Sequence, residues 1–539
     1  MKLAPLAALA ALVASPVLAQ DAPPPPKLLI VVSVDQFSAD LFAEYRRHFT
    51  GGFARLMDGA VFPAGYQSHA ATETCPGHST ITTGDHPSRT GIIANDWTDL
   101  NAARTDKTIY CAEDETVSGS NSTDYTVSDK HLRVPTLGER MKAVNPATRV
   151  VSVAGKDRAA VMMGGHKVDE LWWWDGKTYR SYAGRATPPV VAAANTAVAQ
   201  AIATAQPALV TPDFCRSHDR AIPVGAGKSV GTGHFERAAG DAKAFRASPQ
   251  FDGATLALAA GLITSMRLGK GPATDIITVG ASATDYVGHT YGTEGSEMCI
   301  QLMSLDRDLG DFFKAVDATG VDYAVALTAD HGGHDLPERN ADDAAPTAVR
   351  VKQDLLASQM GPALAARLGL KGPLLWGGPG GDVWIDKTLT KAQHDRVLTE
   401  AVKAYAAHPQ VQAVFTAAQI AATPRPTAPP ETWTLIERAR ESYDAERSGD
   451  FVVALKPRVT PIYDPTKGYV ATHGSFWDYD RRVPMLFWRK GMAGFEQPLS
   501  VETVDIAPTL AGLIRLPLNP GDVDGRCLDL QAGPGSTCP

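Results

Sequence analysis

"KLLIVVSVD" (27–35) is the stretch that decides the fold. From Leu28 to Val34 only Ser33 interrupts an apolar, largely β-branched run, and the run stops at a carboxylate, Asp35. It is too apolar on both faces for an exposed strand, so it predicts a central, buried one. "TDIITVGASATD" (274–285) and "VDYAVALTAD" (321–330) have the same form and end at Asp285 and Asp330. Helical spacing lies between such runs, as in "EMCIQLMSLDRDLGDFFKAV" (297–316), and that alternation predicts an α/β fold. Ligands of open α/β sheets gather beyond the carboxyl ends of the strands, where these three Asp are expected to meet.

Any one of the three, taken alone, reads as the cap of a following turn or helix. Their neighbours change the reading. Asp285 is followed by His289 in "TDYVGHTYG" (284–292), and Asp330 by His331 in "ADHGGH" (329–334). His473 lies in "YVATHGS" (469–475), just after another apolar stretch. Carboxylates and imidazoles without C-x-x-C spacing suit zinc in a catalytic rather than a structural site. His48, His218, His394 and His408 read as surface or packing residues. His334 is either a support for the site or a spare donor.

Taken together, the motifs from Asp35 to His473 resemble the alkaline phosphatase superfamily. Within it they are most similar to the exported, single-threonine alkaline phosphatases of the PafA/PhoK type, relatives of the nucleotide pyrophosphatase/phosphodiesterases. "TDxxGHxxG" and "DHGG" carry most of the likeness. It implies a three-layer α/β/α sandwich with inserted cap segments and two Zn2+ per subunit. Asp285, His289 and His473 would hold one ion. Asp35, Asp330 and His331 would hold the other, together with the nucleophile oxygen. Asn95 in "TGIIANDW" (90–97) matches a residue that donates to a phosphoryl oxygen. Lys156 and Arg158 in "VVSVAGKDRAAV" (150–161) match a pair of the monoesterase branch. Read alone, "GKDR" is surface charge after a strand. On an extended segment the two side chains would project to the same side.

"ATETCPGHST" (71–80) sets Thr74 beside Cys75. Sulfatases of the superfamily modify the first residue of a C/S-x-P-x-R pattern, but here Pro76 follows Cys75 directly and the Arg is missing. Thr74 stands where the single-threonine enzymes carry their nucleophile. Thr is a good helix N-cap, and Pro is tolerated in a first turn. A helix beginning near residue 75 would aim free N–H groups at an anion beside Thr74. Cys75 is then left for a disulfide or for packing.

The expected activity is hydrolysis of phosphate monoesters through a phosphothreonine. A phosphodiesterase or nucleotide pyrophosphatase with the same machinery is the second reading, and an exported zinc- or phosphate-binding protein without turnover is the third. "WWW" (172–174) reads as packing within the cap, or else as a stacking surface.

The 539 residues begin with "MKLAPLAALAALVASPVLAQ" (1–20), read as a secretory signal over 1–19. A Pro-rich spacer over 20–26 follows, then one catalytic domain over 27–539 with cap insertions at roughly 159–270 and 336–455. A formal net charge of −8 without basic runs argues against nucleic acid and anionic membranes as partners. The expected location is periplasmic or secreted. Six cysteines in an exported chain favour disulfides and permit fifteen pairings. Cys527–Cys538 closes a short tail loop and is the first to expect. Chain order for the rest gives Cys75–Cys111 and Cys215–Cys299.

Overall fold

Leu28–Val34 forms a strand (β1) that is buried at every position. The computed structural model describes residues 24–340, 345, 347–533 and 535–539. The expected signal segment and most of the spacer lie outside the described residues. Nine more strands join β1 in one sheet: Ala60–Tyr66 (β2), Val150–Ala154 (β3), Glu170–Trp174 (β4), Tyr179–Arg180 (β5), Asp275–Ala281 (β6), Tyr323–Thr328 (β7), Arg482–Arg489 (β8), Phe495–Glu496 (β9) and Val501–Glu502 (β10). Their order is β9-β2-β8-β7-β1-β6-β3-β4-β5, with β10 also on β2.

β1 pairs in parallel with β6 and β7, β6 with β3, and β3 with β4. β8 runs antiparallel between β7 and β2, which makes β2 parallel to β7. One edge of the sheet therefore collects the carboxyl ends of β2, β7, β1, β6, β3 and β4, and the start of β8.

The pleat explains the layering. Leu28, Ile30, Val32 and Val34 join a core with Leu262 of the helix Pro249–Ser265 and Leu305 of the helix Ser296–Ala318. Leu29 and Val31 point the other way. They join a second core with Ile81, Leu137 and Leu510 from three other helices. Helices on both faces of the sheet make the expected α/β/α sandwich. Each buried aliphatic side chain contributes roughly 1.5–3 kcal/mol, more than a surface ion pair at about 0–1 kcal/mol. β1 thus ties the two helical layers together.

The two expected insertions differ. Within 336–455, the strands Leu375–Gly377, Gly381–Ile385, Val411–Thr416 and Phe451–Leu455 build a separate four-stranded sheet with its own core. Residues 159–270 behave otherwise: they supply β4 and β5 to the central sheet and the helix Pro249–Ser265 to its outer layer. The three tryptophans lie in β4, not in a cap. The segment's apolar run is long enough to add a buried strand beside β3, and sheet pairing takes it.

All six cysteines are paired, Cys75–Cys111, Cys215–Cys299 and Cys527–Cys538, as chain order suggested. Denatured but unreduced protein should accordingly show no alkylatable thiol, and Cys527→Ser should release one, on Cys538. Labelling of all six cysteines without reductant would contradict the pairing.

Candidate active site

The carboxyl edge of the sheet brings Asp35, Asp285, Asp330, His331, Lys156 and Arg158 around Thr74. Asp35 follows β1 directly, and Asp330 and His331 follow β7. Asp285 is not at a strand end as the sequence suggested: β6 stops at Ala281, and Asp285 lies in the first turn of the helix Ala283–Tyr291. That turn places His289 four residues on, on the same face, with Nε2 3.2 Å from Asp285 Oδ1. His473 arrives from the loop before β8, with Nε2 3.4 Å from the same oxygen.

The imidazoles show which nitrogen is free. His289 Nδ1 lies 2.7 Å from the Ala471 carbonyl, His473 Nδ1 2.9 Å from that of Thr72, and His331 Nδ1 2.8 Å from that of Gly332. A carbonyl only accepts, so each Nδ1 carries a proton and each Nε2 is the nitrogen turned toward the carboxylates. The Nε2 atoms converge on carboxylates: His331 Nε2 is 3.5 Å from Asp35 and 3.3 Å from Asp330. Ligand atoms of Asp35, Asp330 and His331 lie within 4.8 Å of one another, and so do those of Asp285, His331 and His473. The first set is the one expected. In the second, His331 joins Asp285 and His473 and is thus common to both, while His289 approaches through Asp285.

Burial and charge fit these groups to metal. Asp35, Asp285 and Asp330 are all but inaccessible to solvent. Asp35 Oδ2 meets Lys156 Nζ at 2.6 Å, Asp285 Oδ1 meets His289 Nε2 at 3.2 Å, Asp330 Oδ2 meets His78 Nδ1 at 3.1 Å, and Asp35 Oδ1 lies 3.5 Å from His331 Nε2. Burial and the neighbouring Asp330 push the Asp35 carboxyl well above the usual carboxylate range, against the pull of Lys156. Burial opposes ionisation of Asp285 too, yet His289 and Lys156 hold its carboxyl well below that range. Burial pushes the His331 imidazole down to about 3, which keeps it a neutral donor. Three clustered, buried carboxylates faced by imidazole Nε2 atoms are a donor set for cations.

Thr74 is the first residue of the helix Thr74–Thr83, and Glu73 is its N-cap. The expected capping role therefore moves back by one residue. Gly77 lets this helix close on Asp330, since a Cβ there would stand 1.9 Å from the Asp330 carbonyl oxygen. Thr74 Oγ1 lies 3.5 Å from His331 Nε2 and 3.4 Å from both Lys156 Nζ and Arg158 NH2. Lys156 and Arg158 do not share an extended segment. Lys156 is the extended N-cap of the helix Asp157–Gly164, and Arg158 is its second residue. The change of backbone direction still brings both cations to the same hydroxyl. Lys156 Nζ is also 2.6 Å from Asp35 and from Asp285, so it bridges the two carboxylates.

The Cys75 N–H is not free for an anion, because it donates to Asn95 Oδ1 at 2.8 Å. Asn95 thereby presents its NH2 away from Cys75. Its own backbone N–H donates to Glu73 at 2.7 Å, and the Cys75–Cys111 disulfide ties the same loop to the helix. Sequence reasoning missed His78. It is fully buried, with Nδ1 2.8 Å from the Thr74 carbonyl and 3.1 Å from Asp330 Oδ2. Its place four residues after Thr74 on one helix face was the available signal. His334 Nε2 lies 3.0 Å from Thr460 Oγ1.

The family described as type I phosphodiesterase / nucleotide pyrophosphatase matches residues 29–476. Alkaline phosphatase PhoK of Sphingomonas sp is 60% identical over 520 residues, covering 95% of this chain and 93% of the relative. Alkaline phosphatase PhoD of Zymomonas mobilis is 49% identical over 518 residues, covering 95% and 89%. The crystal structure of wild type alkaline phosphatase PafA superposes with a TM-score of 0.79 at 26% identity, over 94% of this chain and 99% of that one.

Proposed function

The chain belongs to the type I phosphodiesterase / nucleotide pyrophosphatase family, and from that premise we propose that it is an alkaline phosphatase that hydrolyses phosphate monoesters at Thr74 with two bound zinc ions. One observation carries the reading. Lys156 and Arg158 both lie 3.4 Å from the Thr74 hydroxyl, beside two carboxylate–imidazole groups.

Asp35, Asp330 and His331 would hold one zinc ion, and Asp285, His289 and His473 the other. Bound there, the ions would supply Lewis-acid stabilisation of the attacking and the leaving oxygen. The protein's own groups do the rest. Two positive charges 3.4 Å from Thr74 Oγ1 favour its alkoxide form. Thr74 Oγ1 attacks phosphorus, the bond to the ester oxygen breaks, and a phosphothreonine and the free alcohol result. Water then attacks the phosphothreonine, which releases inorganic phosphate and restores Thr74. Asn95 Nδ2, Lys156 and Arg158 hold the oxygens that are not displaced.

A monoester carries almost two negative charges near or above neutral pH, and a diester carries one. Arg158 can give two parallel, charge-assisted hydrogen bonds to two oxygens of the phosphoryl group, and Lys156 adds a compact charge. Removing one such donor costs on the order of 10²–10³ in rate. Arg158→Ala and Lys156→Ala should lose that much kcat/KM on a monoester and far less on a matched diester. Arg158→Ala is the cleaner test, because Lys156 also bridges Asp35 and Asp285. Equal losses on both esters would assign the pair a structural role.

The family's own description favours a second reading, a phosphodiesterase or nucleotide pyrophosphatase. It needs room for an organic group where Lys156 and Arg158 stand. Export is supported by three disulfides and no free cysteine among the described residues. No described helix is long and apolar enough to cross a membrane.

A further inference from the structure

The two cations beside Thr74 are held in different ways. Lys156 Nζ is 2.6 Å from Asp35 and from Asp285, so two carboxylates match its charge. Among the described residues no carboxylate pairs with the Arg158 guanidinium. Its two terminal nitrogens meet hydroxyls instead, Nη2 that of Thr74 and Nη1 that of Tyr110, each at 3.4 Å.

Tyr110 is built into a closed ring of contacts. A guanidinium only donates, so the Tyr110 oxygen accepts from Arg158 and its one proton goes elsewhere. It goes to Asp157 Oδ1, at 2.7 Å, and the same oxygen accepts the Arg158 backbone N–H at 2.8 Å. Tyr125 OH donates to the other oxygen, Asp157 Oδ2, at 2.7 Å. Tyr110 is 6% exposed and Asp157 8%, so little water competes for these bonds.

The backbone that carries Tyr110 is equally fixed. Tyr110 ends the strand Thr108–Tyr110, which pairs with Asp96–Thr98, and its partner Asp96 follows Asn95. The Cys111 N–H donates to the Asn95 carbonyl at 2.9 Å, and Cys111 is bonded to Cys75, next to Thr74. One hairpin, fastened to the helix of Thr74, thus carries Asn95 at its edge and reaches Arg158 through Tyr110.

A phenol and a carboxylate would both restrain the guanidinium, but only the carboxylate would neutralise it. Arg158 also has a long side chain, and a guanidinium fixed in advance loses less freedom when it binds an anion. We propose that Tyr110 is a positioning residue: its hydroxyl fixes Arg158 at one nitrogen and leaves the other, with its charge undiminished, for the phosphoryl group at Thr74. The inference rests on the reading of Arg158 as a holder of that group.

The test is a double-mutant cycle on the full-length enzyme, with kcat/KM read on a phosphate monoester and a matched diester. Tyr110→Phe removes the hydroxyl and keeps the ring, which belongs to one core cluster with Cys75, Ile92 and Cys111. A hydrogen bond to a charged group corresponds to roughly ten-fold or more, so Tyr110→Phe should lose about ten-fold on the monoester and far less on the diester. In the Arg158→Ala background the same change should cost nothing further, because Tyr110 acts through Arg158. Tyr125→Phe loses the equivalent bond to Asp157 and is the control for a general loss of order. It should not discriminate between the esters. An undiminished Tyr110→Phe enzyme, a loss of the same size in the Arg158→Ala background, or equal losses in Tyr110→Phe and Tyr125→Phe would overturn the positioning role. Coupling of Tyr110 to Arg158 that is equal on both esters would leave that role standing and remove the monoester reading instead.

Discussion

Thr74→Ala should leave a folded protein whose turnover falls by on the order of 10⁴-fold or more, the scale set by deletion of a covalent nucleophile. Folding should survive because Thr74 Oγ1 makes only long contacts, at 3.4–3.5 Å. Ala is also a better helix former than Thr. The close approach of Gly77 to Asp330 and the seat of His78 do not depend on the Thr74 side chain. Acid-quenched enzyme exposed to substrate should carry phosphate on Thr74. Cys75→Ser is the matching control. It removes the bond to Cys111, and loss of a native disulfide costs about 2–5 kcal/mol of stability. The folded fraction should keep its phosphothreonine chemistry. Label on another residue, or an unaffected Thr74→Ala enzyme, would refute the assignment.

Chelation should abolish activity, and zinc should restore it. Lewis-acid stabilisation of the reacting oxygens is worth several kcal/mol, on the order of 10³–10⁴ in rate. Asp285→Ala and His331→Ala should each lower bound zinc as well as turnover. In the proposed assignment His331 and Asp285 each hold one ion, so each variant is expected to lose about one zinc ion per chain. Full activity in a sample free of metal would exclude the two-zinc proposal.

The legible parts of this protein were those in which residue type and immediate neighbours carry the physics. β1 had to be central because it is apolar on both faces, and Asp35, Asp330 and His331 followed from where such strands end. Where the chain turns was less visible. The apolar run into Asp285 reads as one strand, yet it breaks at Ala281 because Ser282 starts a helix. Likewise Lys156 and Arg158 meet at Thr74 through a strand-to-helix turn and not through an extended pair. Trp172, Trp173 and Trp174 were misplaced because a buried strand and an apolar patch in a cap share one composition. Sheet pairing with β3, a contact between distant parts of the chain, decides between them. His78 is not legible from strand ends, because this imidazole reaches Asp330 from a helix.

The central claim is that the Lys156/Arg158 pair and the two ligand clusters make a zinc-dependent monoesterase. Its most direct test is kcat/KM on a phosphate monoester and a diester with the same leaving group, with zinc content determined on the same sample. The account predicts clear preference for the monoester in protein that holds about two zinc ions per chain. Preference for the diester, or undiminished monoester turnover in zinc-free protein, would contradict it.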